Sequence, residues 1–301
     1  MEGAKLAKRS RHGKAGLLFV APFMVVFVLT LVVPLVYSGY LSFFRNRLVG
    51  GISFVGTKNY IQAFHDHAFW SGLERVVGFF FIQVPFMLAA ALIFALVIDS
   101  GKLRFPKLIR ILIFIPYAVP AVIAAIMWGY LYGPNFGLLA QISRYLHTPS
   151  IHFLNGWMTL PSIANIVTWE YVGYNMIIMY AALKSFSTDL YEAASMDGAN
   201  GFQLAWHIKI PQLRPAIFLC LIFSVIGSFQ LFTEPYQMTP LSPAVLNNSF
   251  TPNIYAYDEA FVSQNINYAA TISFMLGFAV LIAASFVGLV SRQSRKRAVN
   301  V

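Results

Sequence analysis

Lys184-Ser-Phe-Ser-Thr-Asp-Leu-Tyr-Glu192-Ala-Ala-Ser-Met-Asp-Gly198-Ala-Asn-Gly-Phe-Gln-Leu-Ala-Trp-His-Ile-Lys-Ile-Pro211-Gln-Leu-Arg-Pro215 is a polar stretch set between two strongly apolar runs. Asp189 stands three residues before Glu192, the spacing of a helix N-cap and a helix-starting glutamate, so a short helix is predicted through Ala193, Ala194 and Met196. Gly198 can take the left-handed conformation that closes such a helix. Asn200, three residues before Gln203, caps a second helix on which Phe202, Ala205 and Trp206 share a face, until Pro211 stops it. Two short helices joined by a glycine turn fit two uses on physical grounds. One is an amphipathic elbow in a lipid interface; the other is a docking site for another protein.

The runs on either side are long enough to cross a bilayer, which takes about 20 mostly apolar helical residues. Working outward gives six such stretches, at residues 17–44, 76–98, 108–132, 160–183, 216–233 and 269–290. Composition agrees: 58% of the 301 residues are apolar and 11% charged, against about 45–50% and about 25% in soluble domains. The first run follows Lys5, Lys8, Arg9, Arg11 and Lys14, as in a signal peptide. It is longer than a signal core and lacks a small-residue cleavage site, so it is read as a retained span. Cys220, the single cysteine, excludes an internal disulfide framework and is most simply a small apolar residue in a span.

The net charge of +10 acts as an orientation signal. With the N-terminus inside, 16 of the 21 Lys and Arg residues fall on inner segments, and only Arg45, Arg47, Lys58, Arg75 and Arg144 fall outside. Positive segments near span ends stay cytoplasmic, so both termini are placed there. Spread over several loops, the basic residues form no footprint for nucleic acid. The resulting organisation is a basic cytoplasmic N-terminus (residues 1–16), a six-helix transmembrane domain (17–290) whose long cytoplasmic loop is residues 184–215, and a basic cytoplasmic C-terminus (291–301).

Glu192-Ala193-Ala194, Gly198 six residues after the glutamate, and Ile208, Ile210 and Pro211 closely resemble the EAA loop of permease subunits in ATP-binding-cassette (ABC) importers. Ala21-Pro22-Phe23, Pro34, Ser42-Phe43, Phe54-Val55-Gly56 with Asn59-Tyr60, and Ile115-Pro116-Tyr117-Ala118-Val119-Pro120 through Trp128 resemble further blocks of the MalF-type sugar permeases. One departure is Glu74-Arg75-Val76-Val77, where relatives commonly show an Asn-Thr pair. The resemblance implies an all-α integral membrane protein of type I ABC importer permease fold in a bacterial inner membrane. It also implies a second homologous permease, two ABC ATPase subunits and an extracytoplasmic solute-binding protein as partners. The substrate implied is a sugar or a glycerol-phosphate-like solute.

Within that resemblance Glu192 is the anionic contact to an ATPase subunit, Ala193, Ala194 and Met196 the packed face, Asp197-Gly198 the turn, and Pro211 the end of the element. On capping physics alone Glu192 needs no partner, since a carboxylate near a helix start is stabilising by about 0.3–1 kcal/mol. The family's substrate-lining positions fall on Glu170, Tyr171 and Tyr174 in the fourth span and on Ser224, Gly227, Ser228 and Leu231 in the fifth. Hydroxyls to exchange hydrogen bonds and tyrosine rings to stack on a pyranose suit a sugar; small residues such as Ser and Gly also serve ordinary helix packing. Relatives place amides where this chain has Ser228 and Leu231, which points to a different or less tightly held substrate.

Glu170 is the chief exception to an uncharged membrane interior. A carboxylate at mid-span costs about 2.5–3.5 kcal/mol, so it faces a polar cavity or a neighbouring helix rather than lipid. An ion-coupled secondary transporter with Glu170 as proton carrier is the alternative, although the paired broken helices of that class are not visible. Neither Gly13-Lys14 nor Gly101-Lys102 sits in a phosphate-cradling loop. The chain is therefore expected to be no enzyme and to hold no cofactor, with ATP and Mg bound by the partner ATPases. No catalytic constellation and no metal site is read, and His65 and His67 lack a third ligand nearby.

Overall fold

The structure is a computed structural model that describes residues 9–47, 50–133, 137–149, 152–187 and 189–299. It divides into two units, residues 1–65 with 259–274, and residues 66–258 with 275–301. Residues 1–8, including Lys5 and Lys8 of the basic N-terminus, and residues 300–301 lie outside the described residues.

In the first unit α1 (Arg9–Phe27) starts inside the segment read from sequence as a basic tail and passes through a π-turn (Val28–Val32) into α2 (Val33–Leu41). Pro34 falls just after that π-turn, inside a helix that runs continuously from Gly16 to Leu41. A two-stranded antiparallel hairpin follows, β1 (Phe44–Arg47) on β2 (Gly51–Phe54), with Phe44 opposite Phe54, and then α3 (Lys58–Phe64). Asn59, fully buried, ties these pieces together. Its amide donates to the carbonyls of Ser42 (2.9 Å) and Phe44 (2.8 Å), and its oxygen accepts from Arg45 at 3.0 Å and 3.2 Å. The Tyr60 hydroxyl shares a 2.8 Å hydrogen bond with that of Ser42, so Asn59-Tyr60 and Ser42-Phe43 of the sequence meet at one place.

The second unit is organised on α4 (His67–Asp99), 33 residues and ~50 Å long. Its start is capped by Asp66, whose carboxylate accepts from the Ala68 N–H at 2.9 Å. Next come α5 (Pro106–Phe114), α6 (Ala121–Tyr132), α7 (Leu138–Tyr145) and α8 (Thr159–Lys184). The polar loop contributes α9 (Asp189–Met196) and α10 (Gly201–Leu204), before α11 (Ile210–Phe229), α12 (Thr233–Met238) and α13 (Pro252–Tyr257). The last described element is α14 (Ile266–Val299), whose residues up to Phe274 belong to the first unit.

Helices α4 and α8 bury a seam of Val84, Met87, Leu88, Ala91 and Ala95 against Met176, Met179 and Leu183, closed by Leu213 and Cys220 of α11. Small residues let the backbones approach, as membrane helices require when lipid is as apolar as leucine. Gly173 marks the closest crossing: a Cβ there would stand 2.1 Å from the Ile113 carbonyl oxygen. A second apolar cluster joins Phe79, Ile163 and Ile166 to Leu231, Met238, Leu246, Phe250 and Ile254. Residues that sequence places in an outer loop therefore form short helices folded against the spans.

The run at 108–132, expected as one span, is broken. Residues Pro106–Ala118 and Ala121–Tyr132 meet at 96°. Val119 is extended (ψ 127°), as a residue preceding proline prefers, and the Pro120 ring cannot continue the helix before it. Among the described residues four helices are long and apolar enough to cross a membrane, or five with the bent pair counted as one span. Although α8 has 26 residues, it falls outside that set; Asn165, Glu170 and Asn175 dilute its apolar content.

Candidate translocation cavity and docking loop

A cavity of about 260 Å³ opens between α4, α8 and α11. Tyr171, Tyr174, Ser224, Gly227, Ser228 and Leu231 all line it, so the positions named from sequence on two separate spans come together. Ser224 and Ser228 lie one turn apart on α11, and the Ser228 hydroxyl donates to the Ser224 carbonyl at 2.8 Å, so that its oxygen keeps acceptor capacity. Tyr174 stacks on Tyr117 with ring centroids 4.8 Å apart, and Tyr171 meets the same ring edge-on at 5.8 Å. Tyr117 comes from the proline-bounded turn at the bend, which gives that break a place in the site. Asn175, also on the wall, donates to the Tyr171 carbonyl at 2.9 Å.

Glu170 is buried (3% exposed) but is not among the lining residues. It lies beside the carboxyl of Glu234, and its Oε2 has no hydrogen-bond partner. Glu234, at the start of α12, does line the cavity, together with Gln83 and Gln230. Sequence reasoning misses all three. Gln83 was legible as a polar interruption of an apolar run, whereas Glu234 follows the fifth run and reads as loop until α12 turns it inward. The cavity thus has an aromatic wall, a hydroxyl face and an acidic end.

The loop between α8 and α11 carries the other candidate residues. Helix α9 begins at Asp189, so that residue is the first helical residue and not the cap; the Ser187 hydroxyl accepts its N–H at 3.2 Å. Gly198 has φ +84° and closes α9 with paired bonds, Gly198 N–H to Ser195 (3.1 Å) and Ala199 N–H to Ala194 (3.0 Å). Left-handed closure of this kind satisfies the carbonyls of the last turn and is cheap only without a Cβ. Asn200 and Gln203 form the full reciprocal capping box, both bonds 2.9 Å. Pro211 does not stop the helix as expected. Residues Ala205–Lys209 form a π-turn that runs on into α11, so Pro211 lies inside a continuous helix, two residues beyond the π-turn, without ending it.

Glu192, Ala193 and Asp197 are exposed, Ala194 is half-buried, and Met196 is 88% exposed. Leu190, Phe202 and Trp206 are exposed on the same loop, with the last two rings stacked. This surface presents apolar side chains around a carboxylate, while the cavity lies among the longer helices that the loop connects.

A long-helix bundle with an internal polar cavity and a structured loop defines a membrane-embedded transport subunit. Residues 87–297 match the model of the binding-protein-dependent transport system inner membrane component family, and the chain belongs to that family. It is similar to the lactose transport system permease protein LacF of Rhizobium radiobacter, 33% identical over 93% of this chain and 95% of that protein. The arabinooligosaccharides transport system permease protein AraP of Bacillus subtilis is 27% identical, over 89% and 85% of the two chains. A solved bacterial alginate ABC transporter, in complex with an alginate pentasaccharide-bound periplasmic protein, has the same fold: TM-score 0.84 at 17% identity, covering 96% of this chain and 98% of that one. The chain is therefore a multi-pass inner-membrane permease of the type I ABC importer fold, working with a binding protein, and is a transport subunit rather than an enzyme. An ion-coupled carrier is not favoured.

Proposed function

We propose that this permease forms, with a second homologous subunit, the pathway for an uncharged sugar delivered by an extracytoplasmic binding protein, and that two ABC ATPase subunits drive it through the loop at residues 184–215. In this reading six helices cross the membrane. The bent pair α5–α6 and the polar α8 supply the two spans that hydropathy alone understates, and residues 1–16 and 291–301 are basic cytoplasmic ends. ATP and Mg belong to the ATPases. Glu192, with Ala193, Ala194, Met196, Asp197 and Gly198, forms the surface that enters an ATPase cleft, and Pro211 lies on the continuous helix that carries the movement inward.

One observation supports this reading most: α8 and α11 both frame the exposed loop and line the cavity, so a push on one reaches the other through continuous helix. Sugar as substrate is supported by the tyrosine wall, the serine acceptors and the amides of Gln83, Asn175 and Gln230, which match hydroxyl chemistry. Among the described residues, no Lys, Arg or His lines the cavity while Glu234 does. That favours an uncharged saccharide over the glycerol-phosphate-like solute also compatible with the sequence. The test is purification of the transporter from its membrane, followed by a saccharide screen on the co-purifying binding protein. Uptake into vesicles that requires internal ATP and a neutral sugar supports the reading. Uptake driven by a proton gradient without the ATPases refutes it.

A further inference from the structure

Both ends of the docking loop close on one carboxylate. Lys184, the last residue of α8, and Lys209, in the π-turn before α11, reach Asp99 at the end of α4: Lys184 Nζ to Oδ1 at 2.7 Å and Lys209 Nζ to Oδ2 at 2.5 Å. The Asp99 side chain is 6% exposed and that of Lys209 10%, so this contact is shielded from the solvent that weakens surface ion pairs. Tyr191, adjacent to Glu192 on α9, places its ring 5.0 Å from the Lys209 ammonium and its hydroxyl 3.4 Å from Gln212 of α11. Lys184 in turn lies 5.4 Å from the Tyr180 ring of α8. The three helices gathered at this point, α4, α8 and α11, supply most of the cavity lining, which α6 and α12 complete.

We propose that Asp99 is a positioning residue for coupling: it pins the start and the end of the docking loop to the foot of α4, so that a movement delivered at Glu192–Gly198 turns the three cavity helices as one body. Without the pin the same movement is taken up by bending of the loop's ends, and ATP is hydrolysed without transport. This role rests on the ATPase-docking reading of the loop. The π-turn is part of the device, since widening the helix by one residue sets the direction in which Lys209 leaves it.

The test uses the complete transporter in liposomes, with lactose, trehalose or an arabino-oligosaccharide as probe, whichever the wild-type complex accumulates. Asp99→Asn is expected to reach the membrane and retain bound ATPases, but to lower sugar moved per ATP hydrolysed at least tenfold; Asp99→Glu restores most of that ratio. Should a buried unpaired lysine prevent Asp99→Asn from accumulating, Asp99→Asn with Lys209→Gln removes both charges and is expected to show the same uncoupling. A wild-type ratio in whichever of these accumulates overturns the proposal, as does a fall in hydrolysis and uptake in equal proportion. Failure of the docking reading is seen separately, as wild-type ATPase binding and uptake in Glu192→Lys.

Discussion

In the docking loop Met196 and Phe202 stand 88% and 74% exposed on helices of eight and four residues, whereas in the cavity Ser228 and Leu231 are 4% exposed, one within and one just beyond the end of a helix of twenty. One surface leaves its apolar side chains exposed, as the proposed docking of a partner requires. The other is finished within the chain, its rings and amides already held by neighbours. The difference teaches where each kind of specificity lies: docking depends on residues adjacent in sequence and held by local caps, while the cavity depends on helices brought together from distant positions. Substitutions should therefore separate the two, leaving assembly intact when transport fails, or the reverse.

The largest expected effect falls on the scaffold under the cavity. Gly173→Ala sets a Cβ 2.1 Å from the Ile113 oxygen. Overpacking of this kind costs about 3 kcal/mol or more, and the thermal midpoint should fall by roughly 10 °C. An unchanged midpoint would mean that α5 moves aside easily and that the cavity wall is softer than drawn here. Next is Glu192→Lys, which reverses the charge at the docking surface. Uptake should fall more than about tenfold with the ATPases lost on purification, the scale of truncating a partnered interfacial charge, while the thermal midpoint of the chain stays put.

A smaller change is expected from Glu234→Gln, which keeps shape and removes the acidic end of the cavity. A hydrogen bond contributes about 0.5–1.5 kcal/mol, so the half-saturating sugar concentration should rise several-fold while ATPase binding is untouched. If assembly is lost instead, the separation between loop and cavity collapses. Smallest is Asn200→Ala, which removes the capping box at a cost of about 1 kcal/mol. Co-purifying ATPase should drop a few-fold, and sugar affinity should not change.

What could be read beforehand divides along the same line. Gly198, Asn200 and Gln203 announce the glycine turn and the second helix through contacts within four residues, and the structure reproduces them bond for bond. Pro116 and Pro120 were equally visible, yet a uniformly apolar run concealed that they bend the chain rather than decorate one helix. Tyr171, Tyr174, Ser224 and Ser228 meet at one cavity as their helical phases permit. Glu234 and Asp99 could not be placed by any local rule. The partner of Glu234 is across the fold in α8, and Asp99 meets Lys209 over a separation of 110 residues. Periodicity reports which face of a helix is apolar, not which distant helix will stand against it.

The π-turn at Ala205–Lys209 holds one more residue than an ordinary helical turn would need. A π-turn takes up that surplus within an otherwise continuous helix, so it works as a spacer whose wider turn sets where its own side chains leave the axis. Deleting a single residue there would leave an unbroken, well-bonded helix. It would also take away the exit that aims Lys209 at Asp99, so that a chain with sound capping and sound packing would lose the tie between its loop and the foot of α4.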